Sequence, residues 1–200
     1  MKKDTCIDCL RHGEPRGGRC YRGSGTDDPL SELGWSQMWR AVGDACPWDL
    51  ILSSPLLRCR RFAEALAQRH QCPLRVEPAL REVGLGAWEG LRPDQVRSRD
   101  PQGYDRFYRD PVHCRPAGAE SLESLSQRVS QAYDDLVQRH AGQHLLLVVH
   151  AGIIRALAGK ILLADPIRWY RLRIDYAHFM RVREDAYGPV IEGFNLPRLP

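Results

Sequence analysis

Two histidines and two arginines stand where a phosphate ester could be held and cleaved. His12 and Arg11 belong to Arg11-His12-Gly13-Glu14, Arg58 follows Ser54-Pro55, and His150 opens His150-Ala151-Gly152. A phosphate monoester carries about −1.5 to −2 charges at neutral pH. Planar charged donors match it best, and Arg11 and Arg58 are such donors. In phosphoryl transfer the charge spreads over three equatorial oxygens, so cations already in place help most. A neutral imidazole among them can be the nucleophile. For any single histidine an ordinary core or surface role is the commoner reading. Here both follow stretches that read as strands.

The elements that must position these groups follow from periodicity. Residues 5–10 read as a short strand, followed over 11–30 by a glycine- and arginine-rich loop suited to bringing backbone near a ligand. Ser31 can cap a helix whose apolar positions are Trp35, Met38, Trp39, Val42 and Ala45. Residues 49–53 predict a second strand, with Ser54 and Pro55 as N-cap and first-turn proline of the next helix. There Cys59, Phe62, Ala63, Leu66 and Ala67 form one apolar stripe and Arg58 lies near the helix start. Residues 75–77 read as a weak strand, 83–119 as an insertion over the core, and 121–140 as the clearest amphipathic helix. The apolar run 145–149 suits a parallel strand buried on both faces and leads into His150. Stretches 169–174, 178–183 and 190–194 suggest closing strands. The pattern is α/β, and in α/β sheets ligands bind at the carboxyl ends of strands. Arg11, His12, Arg58 and His150 are therefore expected to converge.

Composition narrows the classes. The 200 residues fit one domain, 1–200, and the 43% hydrophobic and 27% charged fractions are ordinary. The net charge of +4 is spread along the chain without a dense basic tract, so no nucleic-acid partner is expected. The stretch 153–164 is interrupted by Arg155 and Lys160 and is shorter than a bilayer span, and the N-terminus lacks the apolar core of a signal peptide. A soluble, cytoplasmic protein without a membrane partner is expected. Seven cysteines then read as free thiols. Cys6 and Cys9 lie three apart on a strand, on opposite faces, which suits small core residues better than a metal site. No metal and no cofactor are expected.

Four blocks in order carry a family resemblance: Leu10-Arg11-His12-Gly13-Glu14; Ser53-Ser54-Pro55-Leu56 with Arg58; Leu80-Arg81-Glu82 leading to Gly86-Ala87-Trp88-Glu89-Gly90; and Val148-Val149-His150-Ala151-Gly152. Together they resemble the histidine phosphatase superfamily, also called phosphoglycerate-mutase-like. The resemblance covers residues 5 to about 157. It implies a three-layer α/β/α sandwich with a mostly parallel central sheet and a small cap insertion at about 83–119. It also implies a metal-independent phosphomonoesterase that works through a phosphohistidine. His12 would be the nucleophile, Arg11, Arg58 and His150 the phosphate pocket, and Glu82 the proton donor to the leaving oxygen. Glu89 is the rival acid, set aside because it follows a tryptophan in what reads as a packing turn. Ala151 departs from the family, where a second glycine commonly follows the histidine; a small residue is tolerated at a helix start, so it reads as a perturbation and not as the mark of an inactive enzyme.

The loop Gly17-Gly18-Arg19-Cys20-Tyr21-Arg22-Gly23 and the segment Asp27-Asp28-Pro29-Leu30-Ser31-Glu32-Leu33-Gly34 resemble the α-ribazole phosphatase branch, which removes a 5′-phosphate during cobalamin assembly. Tyr21, Arg22 and Gly23 are then candidates for contacts beyond the phosphate, with ordinary loop surface as the competing reading. The expected partner is a small phosphorylated metabolite, with a homodimer left open. Competing readings are a broad sugar-phosphate phosphatase, a phosphoglycerate mutase, and a phosphate-recognising binding protein without turnover.

Overall fold

Residues 3–199 are described by a computed structural model of the chain. Met1, Lys2 and Pro200, which the one-domain reading of 1–200 includes, lie outside the described residues. Six strands, β1 (Thr5–Arg11), β2 (Leu50–Ser53), β3 (Leu74–Val76), β4 (His144–Val149), β5 (Phe179–Asp185) and β6 (Gly188–Leu196), form one sheet in the order β3-β2-β4-β1-β5-β6. The first four run parallel, and the β5–β6 hairpin joins β1 antiparallel.

Alternation along the strands builds two cores. Ile7, Cys9, Leu50, Leu52, Leu145, Leu147 and Val149 face one side, and Leu10, Ile51, Leu146 and Val148 face the other. On the second side lie α1 (Glu32–Val42) and α2 (Leu57–His70). Two short helices, α3 (Pro93–Arg99) and α4 (Pro101–Arg109), fall within 83–119, and α5 (Leu122–Arg139) and α6 (Ala151–Ile161) cover the first side. The result is the expected α/β/α layering. Cys59, Phe62, Ala63 and Leu66 of α2 have no exposure, and burial of a side chain such as Phe62 is worth about 1.5–3 kcal/mol. Ser31 caps α1 by accepting from the Gly34 N–H, and Ser121 caps α5 in the same way from Ser124.

Three expectations need correction. Residues 169–174 are not a strand: Pro166–Arg171 is a 3-10 helix started by the Asp165 side chain, with Trp169 buried and donating to the Ala164 carbonyl. Its apolar spacing reflects one buried tryptophan and Ile174, not a pleat. Ser54 and Pro55 do not start α2, which begins two residues later from Leu56 with no side-chain cap. The Ser54 hydroxyl accepts from the Leu56 N–H at 3.3 Å, ahead of the helix, and bonds His150 Nε2 at 2.7 Å. The cysteine pair is also not uniformly core: Cys9 is buried, but Cys6 is half-buried. Cys6, Asp8 and His144 bring donor atoms within 4.8 Å of one another. Both Asp8 oxygens already accept from Arg181, and one also from Trp48 and His144, so a cation would have to displace a guanidinium. No helix among the described residues is long and apolar enough to cross a membrane.

Candidate active site

A cavity of about 710 Å³ opens at the carboxyl ends of β1 and β2, beside the start of α6. Arg11, His12, Arg58 and Glu82 line it, together with Tyr21, Arg22 and Gly23. Val83, Leu85, Pro93, Phe107 and Tyr108 of the 83–119 segment form its far wall. His150 does not reach the lining. It is fully buried behind His12, with ring centroids 5.1 Å apart.

His12 is fixed at the point where β1 ends. Its backbone N–H donates to the Val149 carbonyl at 3.0 Å, tying the ends of β1 and β4 together. Its Nδ1 lies 2.7 Å from the Gly13 carbonyl oxygen. A carbonyl only accepts, so Nδ1 carries the proton and Nε2 is the bare nitrogen. Burial, then the nearby Arg58 and Arg11 guanidinium groups, hold the ring well below the usual histidine range. His150 is held down by burial and the same two cations, with His12 itself contributing. The His150 Nε2 is 2.7 Å from the Ser54 hydroxyl, and the Cys59 thiol lies beside the same ring.

The two arginines are held from opposite walls. Arg58, 1% exposed, donates from Nη1 to the Thr26 carbonyl and from Nη2 to the Gly23 carbonyl, both at 2.8 Å. Arg11 donates from Nη1 to the Ile174 carbonyl at 2.5 Å and lies 4.1 Å over the Tyr176 ring. Each guanidinium keeps a buried Nε–H with no protein acceptor.

The two candidate acids separate cleanly. Glu82 faces the cavity, its carboxyl accepting from the Val83 N–H at 2.9 Å and, at 3.3 Å, from the Gly152 N–H in the first turn of α6. Glu89 does not line the cavity and accepts from the backbone N–H groups of Ser24, Gly25 and Leu85. The Ala151 methyl packs in the core on the far side of the sheet from α1 and does not line the cavity.

Among the loop candidates, Arg22 is no free surface cation. It is 6% exposed, pairs with Asp28 and donates to the Arg16 carbonyl. The Tyr21 hydroxyl bonds that of Tyr108, linking the loop to α4. Sequence reasoning missed Tyr176 and Arg155. Arg155 lines the cavity, donates from Nε to the Leu172 carbonyl and lies over the Tyr170 ring. The signal for it was available: Arg155 interrupts an otherwise apolar run directly after His150. Tyr176 carried no such signal.

Comparison with known proteins follows the same lines. Residues 7–197 match the profile described as Histidine phosphatase superfamily (branch 1). The bifunctional protein Rv2228c of Mycobacterium tuberculosis is 33% identical over 172 residues, covering 84% of this chain and 47% of that protein. The chain thus spans about half the length of the curated relatives of which this is one. The adenosylcobalamin/alpha-ribazole phosphatase of Escherichia coli K12 is 26% identical over 170 residues, 83% of each chain. Among solved structures, the mycobacterial glucosyl-3-phosphoglycerate phosphatase Rv2419c superposes with a TM-score of 0.84 at 27% identity, covering 97% of this chain and 100% of that one.

Proposed function

The chain belongs to branch 1 of the histidine phosphatase superfamily, and from that premise we propose that it hydrolyses the phosphate monoester of a small metabolite by way of a phosphohistidine on His12. The observation that carries this reading is His12 itself, a buried imidazole whose Nδ1–H is fixed on Gly13, which leaves Nε2 bare, and which lines one cavity with Arg11, Arg58 and Glu82. In the first step the Nε2 lone pair forms the N–P bond as the P–O bond breaks, and the Glu82 carboxyl gives its proton to the departing alcohol oxygen. In the second, Glu82 takes a proton from water, whose oxygen displaces His12 and releases inorganic phosphate. Arg11 and Arg58 balance the charge on the phosphoryl oxygens throughout. His150 acts from behind His12, keeping a buried ring beside it. The positive charge that a metal would bring is already present in the two arginines, which supports a metal-independent reaction.

For the leaving group, α-ribazole 5′-phosphate is the first substrate to test. The loop 17–34 resembles that branch, a relative carries that name, and the tyrosines Tyr21 and Tyr108 line a cavity of about 710 Å³, roomy enough for a nucleoside. A second reading has its own observation. The Arg155 side chain faces the cavity with only its Nε committed to a protein acceptor, and this favours an alcohol bearing a carboxylate, as in the phosphoglycerate named for a structural relative.

The test is a phosphate-release panel of α-ribazole 5′-phosphate, phosphoserine, phosphoglycerates, sugar phosphates and nucleotides. Highest kcat/KM for α-ribazole 5′-phosphate supports the first leaving group, and preference for the carboxylates supports the second. Isomerised phosphoglycerate would mark a mutase. Tight phosphate binding with no inorganic phosphate released from any monoester would mark a binding protein and sink the phosphatase reading.

A further inference from the structure

Glu89 carries a carboxylate whose partners are all backbone. Oε1 accepts from Ser24 N–H at 3.0 Å and Leu85 N–H at 2.8 Å, and Oε2 accepts from Gly25 N–H at 2.9 Å. Hydrogen bonds to an ionised acceptor are about twice as strong as neutral ones. Gly23, at φ +55°, leaves the space this carboxylate needs, because a Cβ there would fall 1.9 Å from Oε1.

The clamped stretch is the one that holds Arg58. The peptide unit joining Gly23 to Ser24 donates its N–H to Glu89 and accepts Arg58 Nη2 on its carbonyl, on opposite sides of one rigid plane. The second acceptor for Arg58, the Thr26 carbonyl, follows immediately after the other clamped amide, Gly25. Glu89, peptide plane and guanidinium therefore form a polarised chain in which each hydrogen bond strengthens the next.

We propose that Glu89 is a positioning residue for phosphoryl recognition, setting through the Gly23–Ser24 peptide the direction in which Arg58 presents its guanidinium to the cavity. The inference rests on the phosphatase reading for its consequence in turnover, but not for its consequence in phosphate binding. In Glu89→Gln the amide oxygen can keep the Oε1 bonds from Ser24 and Leu85, so the NH2 confronts the Gly25 N–H, which needs an acceptor. Repulsion at Gly25 and the loss of the carboxylate's charge loosen the loop that presents both acceptors of Arg58.

The experiment is a double-mutant cycle of Glu89→Gln with Arg58→Lys, read by titrating the proteins with inorganic phosphate in a calorimeter. Glu89→Gln should weaken phosphate binding about tenfold and do much less once Arg58 is already Lys, since coupled residues are not additive. With p-nitrophenyl phosphate its kcat/KM should fall while the pH profile keeps its shape, as expected of a residue that moves no proton. Glu89→Asp, which draws the carboxylate back by one methylene, should act in the same direction and stands in if the Gln variant does not fold. Arg81→Met, which removes only a bond to the Ser24 carbonyl, should leave phosphate affinity near the wild-type value. Unchanged phosphate affinity in both Glu89 variants, or equal effects in the two Arg58 backgrounds, overturns the proposal. Coupled phosphate binding without turnover of any ester would instead sink the phosphatase reading and leave this one standing.

Discussion

Replacing Gly152 by alanine should disable proton donation while leaving the fold intact. Gly152 lies in the first turn of α6 at an ordinary helical backbone angle, so alanine brings no strain there and gains up to about 1 kcal/mol of helix propensity. The added methyl, however, would sit 2.3 Å from Glu82 Oε1 and 3.0 Å from Val83 Cγ1, where ordinary contact begins at 3.4 Å. Val83 is buried in the core, so the carboxyl must yield, retreating by about an ångström and leaving its bond from the Gly152 N–H. A misplacement of about 1 Å costs on the order of a hundredfold in rate. Only a leaving group that needs the proton should feel it. The assay is the pre-steady-state burst, which reports transfer to His12 alone, measured with phenyl phosphate and with 2,4-dinitrophenyl phosphate. The burst rate should fall about a hundredfold for the first and stay near the wild-type value for the second, with the melting temperature unchanged or raised. An equal fall for both esters, or no fall for either, would refute the assignment of Glu82 as acid.

His12→Ala should abolish an acid-labile, base-stable phosphoenzyme seen on brief exposure to labelled substrate, and lower kcat by at least about a thousandfold; a labelled band that persists in the variant points to another nucleophile. Because burial and the neighbouring arginines hold His12 well below the usual range, the nucleophile stays unprotonated in mild acid. Corrected for the second ionisation of the ester near about 6, kcat/KM should therefore show no acid limb near 6.5, and a limb there would contradict the neutral imidazole. At the opposite end of the sheet, burial pushes the Asp8 carboxyl up, but hydrogen bonds from His144, Arg181 and Trp48 outweigh it and hold it below the usual range. Burial lowers His144 in turn, yet its bonds to Asp8 and Cys6 prevail and raise it to about 9. A histidine raised on folding contributes stability that is complete below about 6.5 and is lost as pH climbs through about 9. Breaking a buried pair costs about 3–5 kcal/mol, and partial exposure of Arg181 and His144 reduces this to roughly 2–3 kcal/mol for Asp8→Asn. Thermal unfolding across pH 6–10 should show the wild-type midpoint falling and the Asn variant low and nearly flat; parallel curves would show that the network contributes nothing.

The part of the cavity around His12 was legible because the proposed chemistry restricts it. A nucleophilic imidazole with cations around it must sit where strands end, so Arg11, His12 and Arg58 could be placed from residue type and strand pattern before any contact was known. Periodicity located the cores for the same reason: a strand buried on both faces, such as β4, leaves an uninterrupted apolar run. It failed at 169–174, where one large side chain imitated alternation, and at Ser54, whose hydroxyl bonds His150 across 96 residues of chain as well as the nearby Leu56 N–H. Local grammar cannot register a partner that distant.

The rest of the cavity obeys a different rule. Arg155 comes from α6, Tyr176 from the turn before β5, and Phe107 and Tyr108 from α4, so their meeting depends on tertiary packing with no fixed spacing between them. Glu89 shows the consequence. By residue type it was as eligible an acid as Glu82, and the two lie seven residues apart in sequence. What separates them is that one carboxyl is held on the first turn of α6 facing the cavity, and the other is spent on the Leu85 amide and on two amides of the loop whose carbonyls hold Arg58. If the Glu89 variants weaken phosphate binding through Arg58, the division between catalytic and packing residues fails at this position. The turn that reads as packing would then set the direction of the charge on which phosphoryl transfer depends.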